Sequence, residues 1–208
     1  MTPGPIIVYK IPGTGTLVKI GTLGSGNTFG ARFWTDGKMI APMLPDEPWL
    51  QRHPGTGETF WTDECEEIAS EDHWCNVSQY PDVKFAEDAE EEDLQAELHS
   101  ESLTPEKEEY LRIRLWWKWN DPIREGSESV DRPDDFTPNL QKLVALLSED
   151  EDDTRLMKAE AFRELGEHEK ASELLNQSFP ENFMGAVNVI REANENRNVR
   201  PLEITKGD

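Results

Sequence analysis

The sequence predicts an α+β protein, a small antiparallel β module at the N-terminus followed by an α-helical C-terminal module. Three observations carry that expectation. Residues 6–62 alternate β-branched runs with Gly- and Pro-rich turns, and the turn Pro-Gly-Thr-Gly occurs twice, at 12–15 and 54–57. From Thr104 onward apolar residues recur at helical spacing behind two Thr-Pro steps, Thr104-Pro105 and Thr137-Pro138, each read as an N-cap followed by a proline at the first helical position. Between the two regions, residues 82–109 hold twelve acids against Lys84 and Lys107, a change of composition that marks a boundary. The expected division is 1–69 for the β module, 70–103 for an acidic linker or solvated helix, and 104–208 for the helical module.

Taken in order, Ile6-Ile7-Val8-Tyr9 and Thr16-Leu17-Val18-Lys19-Ile20 flank the first turn and form a hairpin. Four glycines between Gly21 and Gly30 make a loop, and Ala31 to Thr35 is a strand ended by Asp36-Gly37, a strong turn pair. Pro42, Pro45 and Pro48 impose an extended connection. A second hairpin runs from Trp49-Leu50 through the second turn into Thr59-Phe60-Trp61-Thr62. Helices are expected over 105–119, 138–148, 154–165, 168–177 and 182–195. Leu156, Ala159 and Phe162 share one face, as do Ala171, Leu174 and Leu175, so these stripes are core positions.

Charge bounds the function. The net charge of −22 opposes nucleic acid and anionic membranes over most of the surface. It is unevenly placed, because residues 1–60 carry Lys10, Lys19, Arg32, Lys38 and Arg52 against only four acids. Two cysteines, Cys65 and Cys75, are too few for a disulfide framework. With no basic-then-apolar leader and no apolar run near the ~20 residues that span a bilayer, the expectation is a cytoplasmic protein with reduced thiols and no membrane partner.

The paired turns resemble the knuckles of a zinc ribbon, a rubredoxin-like family in which Cys-Pro-x-Cys-Gly turns aim thiolates at one ion. Here the frame is Ile11-Pro12-Gly13-Thr14-Gly15 and His53-Pro54-Gly55-Thr56-Gly57, with Pro and Gly in register but Ile11, Thr14 and Thr56 at ligand positions. The resemblance therefore implies a ribbon that keeps its turns without its metal, and no cofactor. A rival ligand set is His53, Cys65, His73 and Cys75, whose His73-Trp74-Cys75 spacing matches no familiar knuckle.

A second resemblance lies in residues 153–171. Ala159, Phe162, Gly166 and Ala171 have the spacing of the small, aromatic, turn and small positions of a tetratricopeptide repeat, although Arg155 stands where that family usually has Trp. The family's usual work is binding peptides or proteins. A degenerate ribbon followed by one such hairpin resembles bacterial proteins of that layout.

No catalytic centre is nominated. Gly24-Ser25-Gly26-Asn27-Thr28-Phe29-Gly30 places its third glycine one residue late for a phosphate loop, and nucleophile, zinc-protease and kinase motifs are absent. The run Tyr110 to Trp119 interleaves three Trp with Arg112, Arg114 and Lys118, a pattern that can stack bases. Helical spacing instead puts Leu111, Leu115 and Trp119 on one side, which makes it a core helix. The expected function is a non-enzymatic protein–protein interaction, with a partner carrying a basic or apolar segment. Partner-binding candidates are Arg155, Lys158 and Phe162 on the repeat-like hairpin and Trp116, Trp117 and Trp119 on the aromatic helix. The alternatives are nucleic-acid association through the five front cations, or an acidic surface that mimics nucleic acid.

Overall fold

β-branched residues on either side of the first Pro-Gly-Thr-Gly turn pair as long antiparallel strands in the computed structural model, which describes residues 1–73, 78–129 and 131–205. The strands are β1 (Thr2–Lys10), β2 (Leu17–Ser25), β3 (Arg32–Trp34), β4 (Met39–Ile40), β5 (Leu50–Arg52), β6 (Thr59–Trp61), β7 (Glu66–Glu71), β8 (Glu87–Asp88) and β9 (Glu203–Ile204). The helices are α1 (Glu91–Glu97), α2 (Pro105–Arg124), α3 (Phe136–Leu146), α4 (Asp152–Glu164), α5 (His168–Leu175) and α6 (Met184–Glu195). The fold is α+β, as its sequence predicts, with three small antiparallel sheets among the described residues. No helix among them is long and apolar enough to cross a membrane.

The chain divides into two compact units, Met1–Ala31 with Ala41–Leu94, and Arg32–Ile40 with Gln95–Asp208. The first, a β unit, holds the sheets β2-β1-β7 and β6-β5-β8. Strand β7 was not expected, since half of Glu66–Glu71 is glutamate. It forms because β1 offers it an edge, Glu66 and Glu67 stay exposed to water, and the Glu71 carboxylate is met by Lys19, Ser78 and the Gln79 amide. The two Pro-Gly-Thr-Gly turns fold alike. Ile11 N donates to Thr16 O at 2.8 Å and Gly15 N to Ile11 O at 3.0 Å, while His53 N donates to Glu58 O at 2.8 Å and Gly57 N to His53 O at 2.9 Å. Gly15 and Gly57 close them with φ of 72° and 73°, a conformation that glycine adopts without a Cβ clash. Ile11 packs with Val18 and Phe60, and Tyr9, Ile20, Cys65 and Ala86 surround that cluster.

The second unit holds α2 to α6 and the sheet β4-β3-β9. Residues 32–40, expected in the β module, thus belong with the helices, and buried charge pairing described below is the reason. Thr104 caps α2 as expected, its hydroxyl accepting from Lys107 N at 3.3 Å. The helix continues past the expected end at 119 to Arg124, with Pro122 inside its last turns. Thr137-Pro138 is not a cap. Helix α3 begins earlier, at Phe136, which is buried with its ring edge-on to Trp119 at 6.1 Å between centroids. Helix α4 ends where Gly166 (φ 77°) takes the left-handed turn, with Gly166 N donating to Arg163 O and Glu167 N to Phe162 O. Ala159 and Ala171 are fully buried, letting α4 and α5 approach closely, and Leu156, Leu174, Leu175, Val187 and Ile190 complete the cluster.

Candidate functional site

An open cleft of about 410 Å³ lies in the β unit, and the path of one segment explains it. Residues 84–86 run alongside β2, with Lys19 N donating to Lys84 O at 2.9 Å and Ala86 N to Lys19 O at 2.8 Å. The chain then leaves β2 and joins the other sheet as β8, with Asp88 opposite Gln51. The cleft opens where the two sheets part. Its lining includes Tyr9, Trp49 and Phe85, of which Trp49 is 47% and Phe85 52% exposed. The two rings thus leave apolar surface open to water in the cleft wall.

The charges around these rings are mostly acidic. Asp46, Glu47 and Asp88 line the cleft together with one cation among the described residues, Lys19. That ammonium is buried and already engaged, 3.2 Å from Glu71 Oε2 and 2.7 Å from Ser78 Oγ. Glu47 Oε1 accepts from Leu23 N at 3.2 Å. The Tyr9 hydroxyl is held above its ordinary pKa by burial, with Glu67, Cys65 and Glu47 adding to the shift, so it stays a neutral donor. Neither Glu47 nor Asp88 is paired with a Lys or Arg among the described residues.

The helical unit holds a different constellation, whose three acids are buried. Asp36, in the turn after β3, takes a charge-assisted bond from Arg124 and a 2.7 Å bond from Asn120 Nδ2, while its carbonyl accepts from Trp117 Nε1 at 2.9 Å. Glu164 accepts from Trp116 Nε1 at 3.1 Å, Asn120 Nδ2 at 3.1 Å and Arg132 at 3.0 Å. Arg163 and Glu160 pair with both side chains fully buried, and Arg163 also donates to the carbonyls of Asn198 and Arg200. Three acids thus face three arginines in a low-dielectric interior. Burial raises the Asp36 carboxyl above its usual range against the pull of Arg124. Burial and then Glu160 push Glu164 up to about 8. This cluster fastens residues 32–40 to α2 and α4.

A smaller cleft of about 260 Å³ in the same unit is lined by Leu98, His99, Arg112, Trp119, Asn139 and Lys142, among others. Its polar groups largely serve each other, since Arg112 bonds Glu108 and Asn139, and Asn139 Nδ2 returns to Arg112 O at 2.9 Å.

The residues singled out from sequence lie as follows. Trp116, Trp119 and Arg155 are buried. Trp117 is held by Asp36 O. Arg155 lies over the Phe179 ring at 4.5 Å and donates to the carbonyls of Glu149 and Ser178. Lys158 is 2.8 Å from Glu149, and Phe162 packs on the helical core with Lys170 Nζ 5.1 Å from its ring. These six do not make one exposed face. His53 Nδ1 faces the amides of Gly55 and Thr56, both at 3.1 Å. Burial and the neighbouring Glu64 and Asp63 push the Cys65 thiol up to about 11, and its Sγ donates to Trp61 O. His73 borders a separate groove with Pro3 and Asp72, and Cys75 lies outside the described residues. Among the described residues, no group of three or more His, Cys, Asp and Glu is placed to hold a metal ion.

Each of the five front cations meets a carboxylate. Lys10 lies 3.7 Å from Glu66, Lys19 3.2 Å from Glu71, and Arg52 3.2 Å from Glu87 within the β unit. Arg32 lies 2.6 Å from Glu203 and Lys38 2.6 Å from Asp121 within the helical unit. The cleft itself was missed from sequence. Trp49 reads there as an ordinary strand residue and Phe85 as part of an acidic stretch. No protein-family model, curated protein or solved structure matches the chain.

Proposed function

We propose that this is a non-enzymatic interaction protein whose β unit holds a basic or apolar segment of another protein. The cleft carries this reading: aromatic rings left in water, acids beside them, and a chain whose net charge of −22 favours cationic partners. The ribbon-like turns fit as scaffolding, because the apolar Ile11 cluster holds the first hairpin where a metal would serve the zinc-ribbon family. The repeat-like α4–α5 hairpin fits as a stable support, its candidate contact residues already occupied within the unit. Nucleic-acid binding through the front cations is the weaker reading, since every one of those five would have to leave a carboxylate to reach a phosphate.

Capture experiments test this. Immobilised full-length protein is offered a nuclease-treated lysate beside the double variant Trp49→Ala/Phe85→Ala. A stoichiometric protein is expected on the wild type and absent from the variant. Equal retention by both, or a complex that nuclease removes, contradicts the reading. A captured DNA-binding protein released by duplex DNA would instead favour nucleic-acid mimicry.

A further inference from the structure

We propose that the cleft of the β unit recognises one cationic side chain, arginine or lysine, carried on an extended segment of the partner; this rests on the interaction reading above. Two features of the cleft, independent of each other, converge on that occupant.

The first is its side-chain chemistry. Ring faces of Trp, Tyr and Phe attract a cation through their quadrupole, and the attraction grows where water is partly excluded. Tyr9, Trp49 and Phe85 line one cleft, and the carboxylates of Glu47 and Asp88 share it without a Lys or Arg of this chain to neutralise them among the described residues. Lys19, the one lining cation among the described residues, is spent on Glu71 and Ser78. An anionic ligand would meet those carboxylates unscreened. A purely apolar one would leave them to be desolvated with no return. A guanidinium or ammonium on an aliphatic stem satisfies both rings and acids.

The second feature is backbone. Along β2, Lys19 turns its N–H and C=O away from β1 and bonds residues 84 and 86, while Leu23 turns its N–H the same way and is capped by Glu47. Alternation along a strand gives Gly21, midway between them, the same outward direction. Gly21 lines the cleft, and its outward N–H and C=O meet no partner among the described residues. An extended peptide can bond there while its side chain enters the cleft, which is how strand addition couples affinity to a side-chain pocket. The edge is open for only a short stretch, so the backbone contributes register and the cation contributes selectivity.

The test uses isotope-labelled full-length protein and three capped pentapeptides, Gly-Ser-X-Ser-Gly, with X as arginine, norleucine or glutamate. The arginine peptide is expected to shift the Trp49 indole N–H and the Gly21 amide, and to bind about tenfold more tightly than the norleucine peptide. Asp88→Asn and Trp49→Ala are each expected to weaken it several-fold. Trp49 and Asp88 are both exposed, so neither change hollows a core. If norleucine binds as tightly as arginine, cation recognition is overturned while the cleft stands as an interaction site. If no peptide moves Trp49 or Gly21, the cleft is overturned as a peptide site altogether, and with it this inference. Binding by the glutamate peptide in preference to arginine overturns the charge argument.

Discussion

Both units set carboxylates beside aromatic rings, and they use them in opposite ways. In the helical unit Asp36, Glu160 and Glu164 lie beneath the surface, and Arg124, Arg163 and Arg132 answer them one for one. An unpaired charge at such depth costs several kcal/mol, and each of these acids is buried beside an arginine. In the β unit Glu47 and Asp88 remain open to solvent next to half-exposed Trp49 and Phe85, and neither pairs with a Lys or Arg among the described residues. Water meets the cost there, which leaves the carboxylates available. The same chemistry serves cohesion where it is closed and recognition where it is open.

That contrast breaks most readily at Arg124. Arg124→Met removes the guanidinium from a carboxylate with no exposure, and is expected to lower unfolding free energy by about 3–5 kcal/mol in urea titration. An unchanged midpoint would mean that the cluster is not what holds residues 32–40.

A pH series sharpens the same side. Glu164 titrates at about 8 when folded, against ~4.3 in an unfolded chain, so the folded state binds its proton more tightly. Its contribution is fully present below about pH 4.3 and is lost as pH rises toward 8. Stability attributable to this group should fall across that window, at up to ~1.4 kcal/mol per pH unit. The difference between wild type and Glu164→Gln isolates it, and a pH-independent difference would refute the assignment.

A smaller effect separates the two matched turns. The first is anchored by buried Ile11, the second by His53 Nδ1 accepting two backbone amides. His53→Ala should cost about 1 kcal/mol in thermal or urea unfolding, the order of a single lost acceptor. No loss would show that the glycine at position 57 suffices to set the turn.

Much of the framework was legible because its signals are local. Pro-Gly-Thr-Gly between β-branched runs specifies a hairpin within a few residues, Thr104-Pro105 specifies a helix start, and Gly166 specifies a helix end. What escaped depends on distant partners. Asp36 reads as a turn residue, and only pairing with Arg124, 88 positions later, explains why its segment leaves the β unit. Glu66–Glu71, half glutamate, carries no strand signal of its own and becomes a strand through β1. Thr137-Pro138 imitates a cap, but burial of Phe136 starts the helix first. The cleft gathers Tyr9, Trp49 and Phe85 across most of the β unit's length. No spacing rule links them, because residues 84–88 bring them together by changing sheets.

The contrast between closed and open carboxylates is tested most directly by measuring arginine-peptide affinity and unfolding free energy together on Trp49→Ala and Arg124→Met. Trp49→Ala should lose about tenfold in affinity while its stability shifts by less than ~1 kcal/mol, as expected for an exposed side chain. Arg124→Met should lose stability and, while folded, keep wild-type affinity. A Trp49→Ala protein that binds normally, or that loses binding only by unfolding, would contradict the account.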